Sequence, residues 1–155
     1  MTGKAEVESQ RMRLDATFKR ASGSKGDLEL ASDLAKYLCV LVSGFLEQAI
    51  IELLLEYIKI HSHASIRQYA EPRLRQFTTV KTNRIIELFG SFDTGWKNDL
   101  EKYLVDQHKD AIDSVVANRH NIAHGKSIGL TMARVQIYYD RVKEVVEHLE
   151  DLCLP

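Results

Sequence analysis

Apolar positions recur at helical spacing along most of the chain. The pattern is clearest near the C-terminus, where Val135, Tyr139, Val142, Val146 and Leu149 mark one face of a helix that Thr131 is placed to cap. Leu34, Leu38, Leu41, Phe45, Leu53 and Tyr57 trace a longer helix, from about Leu28 to Lys59, with Asp27 or Ser32 as its cap. Gly44 lies inside it and costs about 1 kcal/mol relative to alanine unless a neighbouring backbone packs there. The run from Leu38 to Ile60 is apolar enough to be weighed as a membrane span. It carries Glu47, Gln48, Glu52 and Glu56, however, and uncompensated carboxylates are costly at bilayer depth. We read a buried helix and expect no membrane.

Shorter segments fill the rest. Residues 5–21 predict a helix with Val7, Met12, Leu14 and Phe18 apolar, ending in the Ser-Gly-Ser-Lys-Gly joint at 22–26. Residues 64–77 predict a polar helix bent or interrupted by Pro72, and residues 81–90 a short one with Gly90 as its stop. Asp93 or Thr94 caps a segment holding Trp96, Leu100, Tyr103 and Leu104, and Asp106 begins another with Ile112, Val115 and Val116 on one face. Neither a strand pattern nor an internal repeat is visible. The expected class is all-α, a helical bundle.

Composition narrows the picture without naming a function. The 155 residues are 45% apolar and 28% charged, ordinary for one globular domain and too apolar for general disorder. With 21 basic and 22 acidic side chains the formal net charge is -1, which excludes a protein coated in positive potential. The first twenty residues are mixed in charge and lack the apolar core of a signal peptide. Cys39 and Cys153 form neither a metal spacing nor a disulfide framework, so a cytoplasmic setting is expected, with Cys39 in the core and Cys153 exposed near the tail.

Candidate chemistry concentrates in Arg119-His120-Asn121-Ile122-Ala123-His124-Gly125, four strongly polar groups interleaved with two residues that favour a core. His120 and His124 stand one helical turn apart on a shared face, whereas Arg119 sits about 140° round from His124. Three readings compete. Histidines at this spacing bind zinc in metalloproteases, but there a glutamate follows the first, and here Asn121 stands in its place with no cysteine or aspartate near to complete a set. Alternatively, arginine, histidine and asparagine near a helix C-terminus complement its dipole and satisfy its last carbonyls. The third reading is RNA cleavage through the 2′-hydroxyl, which needs a base, an acid and a cation for the phosphorane. Histidine titrates near neutral pH and a guanidinium clamps phosphate oxygens. A second His124 across a two-fold axis would complete the acid–base pair, with no metal or other cofactor.

The same segment resembles the signature of the HEPN superfamily: an arginine, a polar residue, a short spacer and a histidine. Its Ile-Ala-His-Gly ending is similar to the RiboL-PSP-HEPN branch, found in prokaryotic toxin and defence systems. The Gly44-Phe45-Leu46-Glu47 stretch also resembles that branch, which carries an acidic residue at a comparable place. The resemblance covers residues 28–152, so the chain is divided into a first helix and joint at 1–26 and a HEPN-like domain with a four-helix core at 27–155. It implies a homodimer that cuts RNA without metal, leaving a 2′,3′-cyclic phosphate, with Arg119 and His124 catalytic and His120 at the polar accessory position. Asn121 and Glu47 are carried over as accessory residues, and a cognate antitoxin or defence-complex protein is a possible partner. Some members have lost nuclease activity and bind nucleotides or proteins, which is the alternative reading of this chain.

Residues 59–87 add Lys59, Arg67, Arg73, Arg75, Lys81 and Arg84 against Glu71 and Glu87 alone. The last five of these cations are candidates for tracking RNA phosphates, the bland alternative being a solvated helix face. Tyr69, Phe77, Phe89, Phe92 and Trp96 offer base-stacking surfaces, although core or interface packing is favoured for Phe89 and Trp96. His61 and His63, near a helix end, are read as capping residues.

Overall fold

Helices account for every regular element among the described residues, 3–23 and 26–155, of the computed structural model. They are α1 (Gly3–Ser22), α2 (Leu28–His61), α3 (Ala64–Leu74), α4 (Thr82–Phe92), α5 (Thr94–Tyr103), α6 (Asp106–Ala123) and α7 (Met132–Cys153). The chain is all-α, as its periodicity predicts.

Local chemistry sets most boundaries. The Asp27 carboxylate accepts the Glu29 and Leu30 amides, Asp93 accepts from Trp96, and Thr131 accepts from Arg134, so each supplies an N-cap. Gly90 does not stop α4, which continues to Phe92 and hands over directly at Asp93. Tertiary packing overrides the glycine's weak propensity, because Phe89 is buried and Phe92 packs against Trp96. Pro72 is accommodated inside α3, which ends at Leu74 rather than reaching residue 77.

The four-helix core consists of α1, α2, α6 and α7, with α2 in contact with each of the other three. Leu38, Leu46, Ala49, Ile50, Leu53 and Leu54 of α2 are all at 0% exposure and form a broad buried face, while Tyr37 and Gly44 of the same helix are exposed. By length and composition α2 would cross a membrane, but 67% of its most apolar window is buried within the fold. The first helix, divided from the HEPN-like domain in the sequence reading, contributes Val7, Leu14 and Phe18 to the shared core, while Met12 points outward. Phe18 stacks on Tyr139 of α7 at 4.4 Å, and the Tyr139 hydroxyl donates to the Asp15 carboxylate. Part of the joint, Ser24 and Lys25, lies outside the described residues.

Two cysteine expectations part company. Cys39 is buried, as read, but Cys153 is also buried, at 2% exposure, because α7 runs to the tail and packs it against the core. Burial pushes the Cys39 thiol up to about 11 and that of Cys153 up to about 12. Phe89 and Trp96 pack inward as expected, Trp96 meeting the Tyr57 ring edge at 4.8 Å. His61 stacks on Tyr57 with its Nδ1 2.9 Å from the Tyr57 carbonyl, whereas His63 occupies the N-cap of α3 without a side-chain bond.

Candidate active site

The end of α6 is built by its own backbone. His124 is the C-cap, and Gly125 takes the left-handed conformation at φ 68° that glycine adopts without strain. The Lys126 amide returns to the Asn121 carbonyl at 2.9 Å and the Gly125 amide to that of Ile122 at 3.1 Å, a Schellman ending. The His124 amide takes the His120 carbonyl. The last carbonyls are therefore satisfied by main chain, and the polar side chains are not needed as caps.

Those side chains stand clear. Arg119, His120 and His124 are exposed, Asn121 and Ile122 half-buried, and Ala123, expected to seek the core, is exposed because the closing turn carries it outward. The bonded side chains of α6 cluster in its first half, where His108 meets Glu144, Lys109 meets Asp113 and Ser114 meets Asp110. Among the described residues, no side-chain hydrogen bond or ion pair engages Arg119, His120 or His124. The imidazoles of His120 and His124 lie with centroids 4.3 Å apart, as their spacing predicts.

A groove of about 420 Å³ gathers Ser43 and Glu47 of α2, Thr79 and Lys81 of the loop before α4, and Arg119, His120 and Asn121 of α6. Four of the five accessory and catalytic candidates thus share one groove. His124, the C-cap of α6, is not among the residues that line it. Burial pushes the Glu47 carboxyl above its ordinary value, and the nearby Arg119 charge works in the opposite direction.

Of the basic residues expected to track RNA, only Lys81 lines this groove. Arg67 is half-buried on α3, Arg75 is paired with Glu71 at 3.0 Å and Glu52 at 3.5 Å, and Arg73 lies 3.6 Å over the Tyr69 ring. The Arg84 guanidinium sits 5.4 Å over Phe77.

Thr79 was missed in the sequence. It takes φ 56°, an unusual conformation for a β-branched residue, and its carbonyl accepts the Lys81 amide at 2.8 Å. Such strain, of order 1–3 kcal/mol, persists where surrounding structure imposes it, and clusters at functional sites. Another polar cluster lies elsewhere on α5–α7, where Tyr103 is stacked between His108 at 4.5 Å and His148 at 3.7 Å. Among the described residues no group of three His, Cys, Asp or Glu side chains is placed to hold a metal ion.

The RiboL-PSP-HEPN family model matches residues 9–154, and the chain belongs to that family. The match takes in most of α1, which the sequence resemblance had left out. HEPN domains are commonly ribonucleases, so membership supports a nuclease-type module. No curated protein and no solved structure matches the chain significantly.

Proposed function

We propose that the chain is a metal-independent endoribonuclease whose active site is completed in a homodimer. The observation that carries this reading is the self-capped end of α6, which leaves Arg119, His120 and His124 exposed, with no side-chain hydrogen bond or ion pair to them among the described residues. An imidazole of this set takes the 2′-hydroxyl proton as O2′ bonds to phosphorus. The bond from phosphorus to O5′ then breaks, and an acid protonates the leaving oxygen. Arg119 neutralises the phosphorane, with Lys81 in the same groove adding a second positive charge. The partner's copy of the helix end brings a second histidine pair, so base and acid lie on opposite sides of the scissile phosphate. The products are a 2′,3′-cyclic phosphate and a free 5′-hydroxyl.

The test is cleavage of RNA in EDTA by the wild type and by His124→Ala. We expect activity to persist in EDTA and to fall by about 10² to 10⁴ in the variant, the usual contribution of a positioned acid or base. Activity in EDTA that survives His124→Ala defeats the proposal.

A further inference from the structure

A second groove, of about 530 Å³, runs along the other side of Arg119, between α1 and α2. Its lining includes Gln10 and Arg13 of α1, Tyr37, Gly44 and Gln48 of α2, and Arg119 itself. Arg119 therefore lines both grooves, one holding Glu47 and Lys81 and the other a tyrosine and two amides. Tyr37 is 55% exposed although aromatic.

Gly44 has no internal explanation. It is exposed in mid-helix, and a Cβ built on it meets no atom within 4 Å. Among the described residues no neighbouring backbone packs there, so alanine would fit and favour the helix by about 1 kcal/mol. The missing side chain keeps the floor of the groove flat beside Arg119. The Gln10 amide nitrogen donates to Glu6, which leaves its Oε1 shielded from water with no hydrogen-bond partner.

Resting on the ribonuclease reading, we propose that this groove receives a nucleobase flanking the scissile phosphate. Tyr37 stacks on the base over the flat floor at Gly44, and the Gln10 and Gln48 amides meet its polar edge. An exposed tyrosine, apolar lining from Leu14, Val40 and Leu41, two amides and a guanidinium at the phosphate end together match a nucleotide better than a protein side chain. The first helix would thus contribute substrate preference as well as core.

Binding of a short single-stranded RNA is measured by fluorescence anisotropy on the His124→Ala background, together with the same oligonucleotide carrying one abasic position at successive sites. Tyr37→Ala should weaken binding at least about fivefold, the low end of base–aromatic stacking. Gly44→Leu should weaken it too while leaving the thermal midpoint unchanged or raised. At one abasic position the wild-type groove should lose affinity, and Tyr37→Ala should lose no more. Unchanged affinity in both variants, or abasic and Tyr37→Ala losses that simply multiply, overturns the proposal. Loss of dimer on sedimentation in either variant also overturns it, since a second copy then fills the groove. If the intact groove binds no RNA, the ribonuclease reading falls along with it; cleavage indifferent to Tyr37 removes the subsite alone.

Discussion

The Asp113 carboxylate of α6 accepts the Thr82 backbone amide of α4 at 3.0 Å. Lys81, the N-cap of α4, makes no side-chain cap, so the helix takes its cap from across the fold. The bond ties the loop carrying Thr79 and Lys81 to the helix carrying Arg119, and so helps hold both walls of the candidate groove.

Asp113 titrates below its ordinary value: burial raises it, but the Lys109 ammonium and the Thr82 amide outweigh that. A carboxylate depressed on folding contributes stability that is present above its unfolded pKa, 3.8, and lost as pH falls through the lower folded value. Asp113→Ala should cost about 1 kcal/mol at neutral pH, as removal of a cap does. Thermal melts from pH 7 to pH 2 should show a smaller acid loss in the variant than in the wild type.

Arg119→Ala and His124→Ala should each suppress cleavage while leaving stability within about 0.5 kcal/mol, the range for surface changes away from special features. Urea melts alongside product gels check this. Gly125→Val should behave in the opposite way: it forces a β-branched residue to φ 68° and should lower the melting midpoint, with activity falling in step.

Glu47 tests the groove's charge. Because its carboxyl is raised on folding by burial, its contribution is greatest below the unfolded pKa, 4.5, and declines as pH rises through the folded value. Glu47→Gln removes a half-buried negative charge and should raise the melting midpoint at pH 7. The same variant should bind RNA more tightly, as seen in a filter-binding titration.

The α1–α7 contact should be essential to the fold. Phe18→Ala removes a buried ring stacked on Tyr139 and should destabilise by about 3–5 kcal/mol. Tyr139→Phe keeps the packing, loses the bond to Asp15, and should cost about 1 kcal/mol in chemical denaturation.

Both thiols should resist a disulfide-exchange reagent in the folded protein at pH 8 and react in urea. Burial holds Cys39 at about 11 and Cys153 at about 12, so little thiolate exists at that pH. Rapid native labelling at Cys153 would contradict its packing.

Much of the fold was legible in the residues, because period and caps agree at Asp27, Asp93 and Thr131. Propensity misled where packing decides: α4 runs through Gly90, and Cys153 looked terminal but is the last residue of α7 and packs against the core. The role of α1 was hidden because a short apolar set, Val7, Leu14 and Phe18, cannot reveal which helices it will meet. In the site, the adjacency of His120 and His124 followed from spacing. Separation of the His124 ring from the groove did not, since it depends on how the backbone turns after Ile122. Lys81 and Thr79 join Arg119 through a long-range bond at Asp113, which no local pattern announces.

The backbone seal at Gly125 has an evolutionary corollary. Since the scaffold asks nothing of the guanidinium and imidazoles displayed beside it, single substitutions at 119, 120 or 124 would, on the proposed ribonuclease reading, disarm the molecule without loosening it. A lineage can therefore keep the bundle as a binding module after chemistry is gone, and a disarmed descendant should melt much like its armed ancestor.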